Sequence, residues 1–283
     1  MMWLANLTFA AALCVIALGL GLWAMAALDS ASRITGGARL MAGLLIGFLL
    51  LHFAIWAVGT WRYDRATMAA TLLAAAVPAW LGLRRFDWAA AVQGVAALGD
   101  WARRDRSAAA ALLLLVALVL AGILGGLAPP SDFDGLNYHL ALGKFDLERG
   151  FIRPWDLNIL GYFPALSEML DRAALALTGP EAAQVVNGIV AAATAVLLAT
   201  LARQGGASPG AALLAAILYL ALRSVAWESG TSYVELMLAA YTLAAFAVLE
   251  VWRRASTPGI AVIFGLLIGG AINTKYHLSL IHI

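Results

Sequence analysis

Long apolar runs separated by short polar breaks dominate the chain. Eight of them approach the about 20 mainly apolar residues that a membrane-crossing helix needs: Trp3–Leu28, Leu40–Gly59, Ala66–Leu83, Ala108–Leu127, Ala182–Leu201, Ala211–Trp227, Ser232–Trp252 and Gly259–Asn273. Helix is the expected form, because an open strand leaves backbone groups unsatisfied in lipid. The third run is short and holds Pro78, where a kink is expected. Residues Arg84–Ser107 join a basic pair, an Ala-rich stretch and Arg103-Arg104-Asp105-Arg106, and predict a helix lying along the membrane. The longest polar interruption, Pro129–Glu168, follows the fourth run. It opens with Pro129-Pro130-Ser131-Asp132, in which Ser131 or Asp132 suits an N-cap. Phe133, Leu136, Leu140 and Phe145 then recur at helical spacing and predict a surface helix over Phe133–Arg149. The expected fold class is all-α: a polytopic membrane helix bundle of about eight spans, with an amphipathic-helix loop after the fourth.

Composition narrows the class. Of 283 residues, 63% are hydrophobic and 12% charged, against about 25% charged in a soluble domain. Mean hydropathy is +0.88. Such a chain cannot clothe a water-soluble surface. A net charge of +2 gives no case for a nucleic-acid partner. The lone cysteine, Cys14, excludes an intramolecular disulfide and a multi-cysteine metal site. No Lys or Arg precedes Leu28, and the first apolar run exceeds a signal-peptide core, so it is expected to be a retained span. Arg84, Arg85, Arg103, Arg104, Arg106, Arg253 and Arg254 flank connections on one side, joined by Arg33, Arg39 and Arg203 if spans alternate. The positive-inside rule makes that side cytoplasmic and Pro129–Glu168 extracytoplasmic.

That loop gathers Asp132, Asp134, Asp146, Glu148, Asp156 and Glu168. On its predicted helix Asp134 and Tyr138 are four apart and share a face, as do Gly135 and His139. Asp134 sits in the first turn, where the helix dipole stabilises a carboxylate. A carboxylate held there suits general-base chemistry on a hydroxyl, and it equally suits a helix start. His139 fits a metal or phosphate contact, or an ordinary polar one. Glu168 is a candidate member of the carboxylate group. Glu228 can pair with Arg223 on its own helix, and Asp146, Glu148 and Arg149 read as a solvated face. Trp155, Tyr162, Trp227 and Tyr233 suit an interfacial aromatic belt.

Four stretches carry a family likeness: Asp134-Gly-Leu-Asn-Tyr138-His139-Leu140, Gly161-Tyr-Phe-Pro164-Ala-Leu-Ser-Glu168, Thr231-Ser-Tyr-Val-Glu235-Leu and Gly270-Ala-Ile-Asn-Thr274-Lys275-Tyr276. In this order the set resembles the GT-C glycosyltransferases, in particular the branch of protein O-mannosyltransferases and lipid A aminoarabinose transferases. The resemblance implies a sugar moved from a polyprenyl-phosphate carrier to a glycan, lipid or protein acceptor, in a bacterial inner (plasma) membrane. Asp134 then resembles the catalytic base. The family often has a second acid beside it; here Gly135 stands there, with Asp132 as the replacement. Lys275 resembles the residue that meets the lipid phosphate, and Tyr138, His139 and Tyr233 stand as further substrate contacts. Glu235 replaces the family's usual Asp. A divalent metal is a further expectation, with Glu168 and Glu235 as ligands; no other cofactor is expected.

The chain divides into N-terminal spans with an interfacial helix over 1–107 and a GT-C-like membrane core over 108–277. Residues 278–283 are what a common transposon-end sequencing adapter encodes in one frame, so they are expected to be a scar on a truncated fragment. The rival function is a transporter or flippase of a polar or lipid-linked substrate.

Overall fold

The computed structural model describes residues 2–155 and 159–275. Asp156, Tyr276 and the expected scar lie outside that range. The protein is a membrane-type helical bundle, with no strand among the described residues. Among the described residues six helices are long and apolar enough to cross a membrane: α1 (Met2–Leu28), α2 (Gly36–Gly59), α3 (Arg65–Arg85), α5 (Arg106–Gly125), α8 (Pro180–Gln204) and α11 (Glu235–Arg254). Two apolar helices, α9 (Pro209–Ala221) and α12 (Pro258–Thr274), are shorter. The sixth predicted run is thus divided. Extended backbone at Leu222 breaks it one residue before Arg223, its first charge, and the six-residue α10 (Arg223–Glu228) follows. α3 continues through Pro78. The predicted surface helix after α3 is α4 (Trp88–Arg104), which buries no residue.

The centre is built by close helix approach. α1 and α2 cross where Gly21 and Gly47 sit against partner backbone: a Cβ on Gly47 would lie 1.7 Å from the Ala17 carbonyl oxygen. Such contacts let two apolar helices bury Leu13, Ala17, Leu45 and Phe48 together. Tyr241 of α11 enters the same core and donates its hydroxyl to the Leu45 carbonyl at 2.6 Å.

The bundle has two chemically distinct ends. At one, Leu28 touches Gly259, and Gly37 touches Thr200. Ten of the eighteen Lys and Arg side chains collect on this end, with Asp29, Asp87, Asp100, Asp105 and Glu250. At the other end Asn6 of α1 meets Glu181 of α8 at 3.3 Å, and Lys275 beyond α12 meets Glu235 of α11. The remaining eight cations lie here beside ten described carboxylates.

The polar loop covers this second end. Its first helix starts at Phe133, passes through a π-helical turn at Gly135–His139 and becomes α6 (Leu140–Arg149). Phe133, Leu136 and Phe145 are exposed, while Asp132, His139 and Asp146 are buried. A helix on the rim of a membrane bundle turns apolar groups outward and polar groups towards the protein. A 3₁₀ turn (Ile159–Tyr162) leads to α7 (Leu166–Leu177), which buries Leu166 to Ala174 without a break. Backbone bonds from Tyr63 to Gly150 and from Ile152 to Gly59 tie α6 to the α2–α3 connection.

Candidate functional site

Asp132 supplies the cap at the start of the loop helix. Its Oδ1 accepts from the Gly135 amide at 2.7 Å, while its buried Oδ2 has no hydrogen-bond partner. Gly135 is required by this packing. A Cβ there would fall 2.4 Å from Asp132 Oδ1 and 2.6 Å from Ser232 Oγ. No acid fits at 135, so the second carboxylate of this segment is Asp132, one turn earlier and sealed.

Asp134 is half-buried and makes no capping bond with its side chain. The Tyr138 hydroxyl faces its carboxylate, and burial followed by the Asp134 charge raises the Tyr138 phenol above its ordinary range. Tyr233, from the turn before α11, faces the Asp134 backbone and shares the field of Asp132, Asp134 and Glu235; burial raises its phenol too. The two tyrosines thus link Asp134 with Glu235 across the end of the bundle.

His139 is buried, and its Nδ1–H donates to Glu168 Oε1 at 2.7 Å. Its ring lies 4.1 Å from Tyr138 and 6.0 Å from Tyr233, centroid to centroid. Glu168 Oε2 is buried without a partner. One residue short of a further turn, Asp171 is 5% exposed with Oδ2 likewise unpartnered. Burial, then the Glu168 charge, raises its carboxyl well above the ordinary value, with Asp132 adding to the shift and Arg172 opposing it. Sequence reasoning missed Asp171; its signal was a second acid about one turn after Glu168 on a mainly apolar helix.

Asp146 belongs to no solvated face. It is fully buried, and Oδ2 accepts from Arg172 Nε at 2.9 Å and from the Arg172 terminal nitrogen at 2.7 Å. Arg149 binds Oδ1 at 2.6 Å, and the Trp155 indole adds a bond at 3.3 Å. This network locks α6 to α7, so it sets where Asp134 and Glu168 stand. It also places Trp155 in the lock, beyond the belt role expected of it.

At the far side of the cluster Lys275 pairs with Glu235, whose Oε2 is buried and unpartnered. Glu228 is half-buried, and burial followed by the Glu235 charge pushes its carboxyl up to about 7, against the pull of Lys275. Among the described ion pairs none joins Glu228 to Arg223.

A cavity of about 920 Å³ opens beside these groups. Tyr138, Glu168 and Arg172 form one wall; His52, Trp56 and Asn273 form part of another. Asn273 Nδ2 faces His52 Nε2 at 2.9 Å. His52 was also missed from sequence, although a lone histidine in an apolar span is a functional signal.

A metal does not fit the candidate ligands. Glu168 is engaged by His139 and Glu235 by Lys275. Among the described residues no three His, Cys, Asp or Glu side chains are placed to hold one ion. No protein-family model matches the chain, nor does any curated protein or any solved structure.

Proposed function

We propose that the protein is a membrane glycosyltransferase that moves a sugar from a polyprenyl-phosphate carrier to an acceptor hydroxyl. The observation that carries this reading is the meeting, at one end of the bundle, of four stretches far apart in sequence. They bring Asp134, Glu168, Glu235 and Lys275 around Tyr138 and Tyr233. A rim of carboxylates with one lysine, beside a roomy cavity, suits deprotonation of a hydroxyl next to a phosphate leaving group.

In the proposed reaction Asp134 takes the proton of the acceptor hydroxyl. Its oxygen attacks the anomeric carbon, the bond from that carbon to phosphate oxygen breaks, and the configuration inverts. The electron pair leaves with the polyprenyl phosphate, which Lys275 receives. Lys275 is held by Glu235 at rest, so the donor phosphate competes with that carboxylate for the ammonium. Tyr138 and Tyr233 orient the base, and His139 fixes Glu168.

On the arginine bias we place this end outside the cytoplasm, and on the family resemblance we place the protein in a bacterial inner membrane. α9 and α12 then complete eight crossings, and the lipid carrier enters between helices. The acid-rich groups gather at one end of the bundle, which favours this reading over a transporter with charges at mid-membrane.

The test is turnover of a labelled polyprenyl-phosphate sugar by the protein in membranes, with cysteine labelling at position 134 reporting its side. Labelled sugar passed to an acceptor supports the assignment. A cytoplasmic position 134, or substrate carried across the membrane without bond cleavage, would overturn it.

A further inference from the structure

The cavity beside the carboxylates has walls of a particular chemistry. With Asn273 Nδ2 directed at His52 Nε2, that nitrogen accepts, and the ring proton sits on Nδ1. His52 is 6% exposed, and its Nδ1 has no partner at full hydrogen-bond geometry, with the Ala165 carbonyl as a weakly placed acceptor. Across the same cavity Glu168 is 9% exposed and keeps Oε2 unpartnered. A weakly met donor and an unmet acceptor therefore lie just under one wall system. Each is a standing cost that a suitable ligand group removes. A hydroxyl both accepts and donates, and a ring bearing neighbouring hydroxyls serves both atoms after small side-chain turns. Trp56, half exposed, and Trp61, 89% exposed, add flat aromatic surface to the lining. The volume falls within the about 300–1,000 Å³ usual for small-molecule sites.

We propose that this cavity binds a pyranose-sized, hydroxyl-rich ring through His52, Asn273 and Glu168, with Trp56 and Trp61 against its faces. The inference deepens the glycosyltransferase reading and rests on it for the ring's source. That source is either the donor's sugar or a glycan acceptor. Tyr138 lines the cavity and faces Asp134, so a ring seated there brings a hydroxyl or an anomeric carbon to the base.

The experiment uses the full chain in a sugar-free amine-oxide detergent. Saturation-transfer NMR is recorded with methyl α-D-mannopyranoside, methyl α-D-glucopyranoside and the short prenol citronellol. Saturable transfer to the ring protons of at least one pyranoside is expected. His52→Phe and Asn273→Leu should each weaken it about tenfold, the scale of one buried hydrogen bond. Trp80→Ala at the opposite end should leave it unchanged. Thermal melting checks each variant; if His52→Phe does not fold, Asn273→Leu decides. Transfer to citronellol alone marks a prenyl-chain site and overturns the proposal, as does pyranoside transfer that neither variant weakens. In the turnover assay the bound pyranoside should compete with either donor or acceptor, which names the source; competition with neither also overturns it. Pyranoside binding without any sugar transfer would sink the enzymatic reading and leave the cavity assignment standing.

Discussion

Asp134 differs from the acids around it in what its oxygens touch. Asp132 is tied into a cap, Asp146 into two guanidinium groups and Glu168 to an imidazole. Asp134 faces a phenol and stays half-buried. Asp134→Asn should therefore keep the fold and lower turnover by about 10²–10⁴-fold, the range for loss of a general base. Single-turnover rates with donor binding measured in parallel check this; a larger loss in Asp132→Asn would move the role to Asp132. Gly135→Ala should act on stability first, since the new methyl enters the space of Asp132 and Ser232. An overpacked site of this kind costs about 1–3 kcal/mol, seen as a lowered melting temperature. The i,i+4 pairing of Asp134 with Tyr138 could be read directly from the chain, because it depends on local spacing alone. The partner of His52 could not, because Asn273 reaches it only through packing between helices, whereas Glu168 and Asp171 stand three apart on α7 and their proximity is local.

At the level of elements, the apolar runs revealed most of the helices, and α4 followed from its flanking arginines. Asp146 was misread as part of a solvated face, because helical spacing identifies a stripe without saying whether protein, lipid or water receives it. The two lining helices are held by Asp146, so removing its charge should loosen both. Asp146→Asn leaves Arg172 buried without its counter-charge, and breaking a buried pair in this way costs about 3–5 kcal/mol. Hydrogen exchange in α6 and α7 should rise together; exchange confined to one of them would deny the coupling. Glu228, just before the turn into α11, gives a pH prediction. Its carboxyl titrates near 4.5 when free and at about 7 in the fold. Between these values only the folded state holds the proton, so stability falls as pH rises through that window. Glu228→Gln should flatten that part of the profile, measured by thermal melting from pH 4 to 8.

For the whole molecule, Lys275 stands two residues beyond Asn273 of the cavity lining and pairs with Glu235 of the carboxylate group. Lys275→Met should weaken donor binding about 10-fold or more, from the 1.5–3 kcal/mol of a hydrogen bond to a charged group. It also strands Glu235, so Lys275→Met with Glu235→Gln should recover melting temperature but not donor affinity; recovery of both would remove Lys275 from the phosphate role. The division of charge between the ends has a further consequence, for rates of encounter. Once the pH is high enough to ionise Asp171 and Glu228, the site end carries ten charged carboxylates among the described residues against eight cations, so its long-range field then opposes an anionic lipid headgroup until contact is made. Added salt shortens the reach of that field from about 30 Å at 0.01 M to about 8 Å at 0.15 M. The donor should then associate faster as ionic strength rises, while a short-range bond to Lys275 slows its escape. For this protein, fresh water and brine would differ in how quickly the carrier arrives.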